Sequence, residues 1–592
     1  MTANRTLAQG KSPLERLKIT LARMTPGQMV LIVVMAAVFI WVIMALMVLP
    51  IINLLRTVFF EGGTFSLDTF TKLLKSKRAM KALRNSFILA PSLSITVGIV
   101  GISLVLITEY FDIKGAKILR LGYLTTLIYG GVTLVSGYKF IYGSNGILTT
   151  ALRSVFPDMN INWFQGYGAV LFVMTFSCTS NHMIFLRNAM RAVDFQTVEA
   201  ARNMGASQWY ILRRVVLPVL LPSLFAVTIL TFITGLSAMS APMLVGGTDF
   251  QTINPMIHDF ANMTTASAKS LAAVLSLILG LATMLLLAVM TAIERRGHYM
   301  SVSKVKTKIV KQKISNPIVN VLVHIYAYVL FIIYVIPVVM IVLFSFSDTV
   351  HIQARQLDIS TFSLENYKSL LSANSAYRPF IVSILYSLAA AAVVGLLVVM
   401  ACRFIQKRRN SLTSNVLEYG LMIPWLLPTT MIALSLMLNY NQSRWYMFNQ
   451  PLIGTLILLL FGYIIIKLPF TMRMTKAAFF SLDNALEDAA KNLGAGEMYT
   501  FRRVIFPVIL PTVMAIAALN FNSLLTDYDM SAFLYHPTNP TLGVKIKSLT
   551  EDMGTNPNGM ALTFVYAVLM MIISGVVLYL VYGRGERSDL KE

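Results

Sequence analysis

The chain has 592 residues, 56% of them hydrophobic and 13% charged, with 49 Lys and Arg against 26 Asp and Glu for a net charge of +23. A mean hydropathy of +0.69 excludes an ordinary soluble domain. The two cysteines, Cys178 and Cys402, lie inside apolar runs, which excludes a disulfide framework or thiolate metal cluster and leaves them as small packing hydrophobes.

In chain order, residues 1–27 are polar and basic (Arg5, Lys11, Arg16, Lys18, Arg23) and are assigned to a cytoplasmic N-terminal segment. Gly10-Lys11-Ser12 invites a phosphate-loop reading. It fails, because Arg5 stands where the first glycine belongs and no strand precedes it. The run from Met29 to about Phe60 is too long for a signal-peptide core and lacks a convincing cleavage site, so it reads as an uncleaved first span. Further spans are predicted near Ser86–Ile107, Leu119–Val135, Ala169–Phe185, Val215–Ser237 and Leu271–Ile293, completing a first half over 28–293. A lysine-rich linker (Lys304, Lys306, Lys308, Lys311, Lys313) occupies 294–318. Six more spans follow near Val321–Phe346, Ile381–Phe404, Leu417–Leu438, Ile453–Leu468, Val504–Leu525 and Ala561–Tyr582, a second half over 319–583 with a cytoplasmic tail at 584–592. Apolar runs of about twenty residues suit a hydrocarbon layer of ~30 Å. The fold class is an all-α polytopic membrane protein of about twelve transmembrane helices in two pseudo-symmetric six-helix halves.

The halves carry an internal repeat. Val198 to Pro222 reads VEAARNMGASQWYILRRVVLPVLLP, and Glu487 to Pro511 reads EDAAKNLGAGEMYTFRRVIFPVILP. An offset of 289 carries Ala200-Ala201 onto Ala489-Ala490, Gly205 onto Gly494, Arg213-Arg214 onto Arg502-Arg503 and Pro218 onto Pro507. Each copy reads as two short helices joined at a glycine. Glu199-Ala200-Ala201 and Asp488-Ala489-Ala490 begin runs of good helix formers, Gly205 and Gly494 sit where a C-cap needs positive φ, and Pro218 and Pro507 fall where a new helix begins. A weaker echo, Phe65-Ser66-Leu67-Asp68 beside Phe362-Ser363-Leu364-Glu365, has an offset of 297, so loop insertions differ between the halves.

The repeat resembles the EAA loop of membrane subunits of bacterial ABC importers, in which EAA, three residues and Gly precede a hydrophobic stretch ending in Leu-Pro. The first copy keeps the pattern at Glu199-Ala200-Ala201, Gly205 and Leu217-Pro218; the second has Asp488 at the Glu position and Phe506 at the Leu. The resemblance implies that Glu199, Ala200, Ala201, Gly205, Asp488, Ala489, Ala490 and Gly494 contact homodimeric ATPase subunits at the cytoplasmic face. It also implies alternating access and an extracytoplasmic solute-binding protein. ATP and Mg would belong to the partner ATPase. This chain, an importer permease and not an enzyme, would bind no cofactor or metal and would contact membrane lipid but no nucleic acid. Single chains with two such loops resemble ferric-iron permeases most, with phosphonate, hexose phosphate, thiamine and polyamine permeases as alternatives. A secondary transporter driven by an ion gradient is the rival from another class.

Basic clusters at the N-terminus, Lys114-Lys117-Arg120, both repeats, the linker, Lys407-Arg408-Arg409 and Arg584-Arg587 share one side, which places both termini in the cytoplasm; the resemblance implies that the membrane is a bacterial inner membrane. Lys72, Lys75, Lys77, Arg78, Lys81 and Arg84 fall on the outer side, either as a snorkelling amphipathic helix or as a surface for an acidic protein or anionic solute. The span after each repeat offers path-lining candidates: Thr231, Thr234 and Ser237 in the first half, Asn520, Ser523 and Asp527 in the second. Such groups either line a wet path or join helices.

Overall fold

The structure, a computed structural model, describes residues 26–61, 63–190, 193–296, 311–408, 411–447, 449–551 and 557–582. The basic N-terminal residues, Lys304, Lys306, Lys308, Arg409, Arg584 and Arg587 lie outside the described residues.

Among the described residues, ten helices are long and apolar enough to cross a bilayer. Five lie before the linker: α1 (Val33–Phe59), α2 (Lys77–Tyr110), α3 (Tyr167–Met190), α4 (Gln208–Leu236) and α5 (Ala266–Ala292). Five follow it: α6 (Pro317–Ser345), α7 (Asn374–Lys407), α8 (Leu456–Phe480), α9 (Glu497–Leu525) and α10 (Asn558–Leu580). The third span of each half differs from a straight rod. Ala116–Leu127 and Gly131–Val155 meet at 115°, and Leu412–Leu426 and Thr429–Asn439 meet at 103°. Counting each bent pair as one span restores six per half. The causes are local. Gly131 has φ +56°, and Leu427 is extended (φ −115°, ψ 139°) before Pro428, as the clash between a proline ring and its predecessor requires.

The halves are interlocked. The first helix of each half packs against the bent pair of the other: α6 against Ala116–Tyr123 and Gly131–Tyr142, α1 against Thr429–Asn439. Buried tyrosines fasten both contacts. Tyr440 donates to the Ala45 carbonyl (2.6 Å) and Tyr123 to the Ala327 carbonyl (2.8 Å), while the Trp41 indole donates to the Tyr446 carbonyl (3.1 Å). Each hydroxyl meets a helical carbonyl in an apolar setting, where an unpaired polar group would be costly.

At the end of the bundle reached by the C-termini of α4 and α9, short helices close the junction. Ile253–Asn262 follows α4 and Leu542–Glu551 follows α9. Each is bonded to the opposite half: Thr430 to Asn254 (2.8 Å), and Ser136 to Thr550 (2.7 Å). Of the basic segment near this end, Arg78 pairs with Asp259 (3.5 Å) and Lys81 with Asp249 (3.7 Å).

Candidate functional site

The two repeats fold into nearly identical elbows. In the first, Asp194 caps the helix Phe195–Asn203 by accepting from the Gln196 N–H (3.0 Å); in the second, Asp483 caps Asn484–Asn492 through Ala485 (2.9 Å). Both helices end in the same pair of bonds. Gly205 N–H reaches the Arg202 carbonyl (2.9 Å) and Ala206 N–H the Ala201 carbonyl (3.0 Å); Gly494 reaches Lys491 (2.9 Å) and Ala495 reaches Ala490 (3.0 Å). This double closure needs a left-handed residue, and Gly205 (φ +82°) and Gly494 (φ +80°) supply it.

The chain then departs from the expectation of a new helix at Pro218 and Pro507. α4 and α9 begin earlier, at Gln208 and Glu497, and run through the prolines. A π-helical stretch precedes each, Leu212–Val216 and Phe501–Ile505. There Leu217 N–H bonds to the Leu212 carbonyl and Phe506 N–H to the Phe501 carbonyl, so the wider turn absorbs a residue that has no N–H to give. The elbow is thus continuous with the span behind it.

Each elbow turns an apolar face outward. Ala201 and Ala490 are buried, whereas Glu199, Ala200, Asp488 and Ala489 are exposed. Beyond them, Met204 is 81% exposed and its counterpart Leu493 89%. Trp209 and Tyr210 in one elbow, and Met498 and Tyr499 in the other, are also exposed. Among the described residues nothing covers these matched apolar knobs, the kind of exposed apolar surface that suits a partner.

The elbows are anchored differently, and sequence reasoning missed the anchors. Arg403, at the end of α7, binds Glu487 through two nitrogens (3.0 and 3.1 Å), and Lys491 joins them at 3.2 Å. Hydrogen bonds from Arg403 hold the Glu487 carboxyl below its ordinary range. Val198, buried, occupies the position of Glu487 in the first half. There the linker does the holding. Gln312 pairs with the α2 terminus (its N–H to the Tyr110 carbonyl, 2.8 Å; Asp112 N–H to its carbonyl, 3.0 Å) and accepts from Arg202 (3.2 Å). Gln208 accepts from the Ser315 N–H (3.1 Å) and donates to the Lys313 carbonyl. Nearby, Glu109 binds Arg187 at 3.0 Å and Arg120 at 3.7 Å. The only sequence signal was a polar linker interrupting apolar runs.

The path candidates separate. Asn520 is buried and donates to Thr471 of α8 (2.7 Å), Ser523 is exposed and accepts from Lys467 (2.6 Å), and Asp527 accepts from the Ser531 N–H (3.1 Å) with Tyr463 facing its carboxylate. Thr471, Lys467 and Tyr463 step along α8 four residues at a time, so Asn520, Ser523 and Asp527 lie on the face of α9 that meets α8. In the first half Thr231 is buried and bonded to its own helix (Val227 carbonyl, 2.8 Å), and Thr234 is exposed with a bond to Leu230 (2.9 Å). Ser237 is half-buried, its carbonyl accepting from Asn254 (2.6 Å).

Two six-span halves, each with a capped elbow leading into its fifth span, define a membrane-embedded permease subunit. The chain belongs to the family of binding-protein-dependent transport system inner membrane components, which matches residues 19–298 and 395–588. It is 37% identical over 539 residues (91% of this chain, 94% of the relative) to a probable ABC transporter permease protein, y4fN, of Sinorhizobium fredii. It is 20% identical over 546 residues (90% of this chain, 75% of the relative) to the ferric transport system permease protein FbpB of Actinobacillus pleuropneumoniae. The spermidine/putrescine transport system permease protein PotC of Escherichia coli aligns over 43% of this chain and 93% of its own length at 24% identity. The protein is therefore a multi-pass ABC transporter permease of the inner membrane, with two family units in one polypeptide.

Proposed function

We propose that this chain forms the whole transmembrane part of an importer that moves a small solute inward by alternating access, driven by a separate ATPase dimer docked on the two elbows. The observation that carries the reading is the matched pair of elbows, each with an exposed apolar knob (Met204, Leu493) at a glycine turn whose second arm runs without a break into a spanning helix. A rigid connection of that kind transmits a push from a partner at the surface to the membrane interior. The elbows lie at the cytoplasmic face in this reading, with both termini on that side and an extracytoplasmic solute-binding protein at the far end. Glu199, Ala200 and Ala201 with Gly205, and Asp488, Ala489 and Ala490 with Gly494, are the coupling residues. Ferric iron is the leading solute, on the similarity to FbpB; no group of three or more His, Cys, Asp or Glu side chains among the described residues is arranged to hold a metal ion. The test is co-purification of an ATPase whose hydrolysis rises when this chain is present. An ion-gradient transporter would take up solute without any such partner, and that result would sink the proposal.

A further inference from the structure

α8 carries a lysine at its middle. Lys467 lies about 16 Å from one end of the helix Leu456–Phe480 and about 20 Å from the other, at ~1.5 Å per residue. An ammonium at that depth is expensive against lipid and belongs beside protein or water. The other basic groups of α8 sit toward the elbow end and have partners: Arg473 stacks over Trp425 (5.2 Å), and Lys476 pairs with Glu418. Lys467 is different. Of its three donors, Ser523 takes one at 2.6 Å, and among the described residues no other acceptor is in reach. Asp527 lies near enough to act through its charge, and its carboxylate, held by the Ser531 N–H and Tyr463 and forming no direct ion pair with the ammonium, offsets that charge only in part.

One contact turns this face of α9 toward the junction between the halves. Ser523 is exposed, and one turn further the carbonyl of Thr526 lies against the other half: a Cβ built on Gly131 would come within 3.2 Å of it. Thr234, the counterpart of Ser523 on α4 at the 289-residue offset, is exposed as well. The charge is also one-sided. The same offset places Cys178 opposite Lys467 and Ala238 opposite Asp527, so the first half has no Lys, Arg, Asp or Glu at these positions.

We infer that Lys467, presented by Ser523, is an anion-attracting subsite on the wall of the translocation path, and that the part of the solute passing it carries negative charge. The inference rests on the permease reading above and narrows its solute to an oxyanion, a carboxylate, or a metal ion carried inside an anionic chelate. A free polyamine or bare metal cation would be repelled at this point.

The experiment uses the full chain in membrane vesicles, with Cys178→Ala and Cys402→Ala as background. Ser523→Cys and, separately, Thr234→Cys are treated with a sulfonate-bearing and a trimethylammonium-bearing methanethiosulfonate, each rate normalised to a free thiol in solution. The Lys467 ammonium, offset in part by the neighbouring Asp527 carboxylate, should make the sulfonate reagent roughly threefold faster. Lys467→Met should remove that preference and Lys467→Arg should keep it. Equal rates with Lys467 present, a preference unchanged by Lys467→Met, or no reaction with either reagent at both positions would overturn the inference. The readout needs no ATPase, so its failure is distinct from failure to find a coupled one.

Discussion

Arg403 forks across Glu487, its two terminal nitrogens 3.0 and 3.1 Å from the two carboxylate oxygens, and so ties the end of α7 to the second elbow. Both side chains are mostly buried (12% and 19% exposed), and the guanidinium also stacks over Phe501 (5.7 Å). Paired hydrogen bonds between charged groups contribute more than a solvated ion pair, about 1.5–3 kcal/mol.

Arg403→Ala should therefore loosen the second elbow by about 2 kcal/mol and lower solute uptake per ATP hydrolysed. Arg403→Lys, which lacks the fork, should recover only part of the loss. The pH dependence follows from the depressed Glu487 carboxyl. Its stabilisation is fully present above the ordinary value of 4.5 and is lost as pH falls through the lower folded value. Coupling should stay flat through neutral pH and fail only in acid, with Glu487→Gln insensitive to that fall. A coupling ratio unchanged in Arg403→Ala would show that the fork does not position the elbow.

Gly205 and Gly494 have open space around them: a Cβ at either would meet nothing within 4 Å. The penalty for a side chain is therefore conformational, about 1–2 kcal/mol for an L-residue held left-handed and worse for a β-branched one. Gly205→Val and Gly494→Val should leave the chain inserted but separate uptake from hydrolysis, and Gly→Asn at either site should be milder. Uptake retained in both valine variants would remove the elbows from the mechanism.

Much of this was legible because single residues announced it. The 289-residue repeat placed both elbows, and the two glycines marked their turns. The bends in the third spans were not legible, since an apolar window carries no record of chain direction; Gly131 and Pro428 break runs whose composition still reads as a span. Nor does periodicity reveal partners. Nothing in the pattern says that Tyr440 reaches Ala45, 395 positions away, or that Gln312 of the linker would grip Arg202. The π-helical stretches escaped because proline normally signals a helix start, and here a wider turn ahead of it keeps the helix intact.

The exposed knobs make the docking reading quantitative. Burying a Leu or Met side chain contributes about 1.5–3 kcal/mol, and an Asp in its place adds the cost of a desolvated charge. Met204→Asp and Leu493→Asp should each weaken the hold on the ATPase at least about tenfold, and the double variant should abolish co-purification. Pull-down of the ATPase against the same quantity of inserted permease measures this. Equal recovery from the double variant would place the partner elsewhere.

At the end of the bundle away from the elbows, the junction is held by bonds between halves, Ser136 to Thr550 at 2.7 Å and Thr430 to Asn254 at 2.8 Å. The alternating access proposed above requires these to part, because they join the two halves at that end. Such bonds suit a gate: a hydroxyl pair is worth only about 1 kcal/mol, little enough for ATP binding to break in each cycle. Fixing one covalently should arrest the cycle. In a background with Cys178→Ala and Cys402→Ala, Ser136→Cys with Thr550→Cys should cross-link on mild oxidation and abolish uptake, and reduction should restore it. ATP hydrolysis by the docked partner should persist at a basal rate but lose its stimulation by loaded binding protein. Uptake at an undiminished rate in a fully cross-linked sample would mean that solute enters without this end opening, and the two-sided mechanism would fall with it.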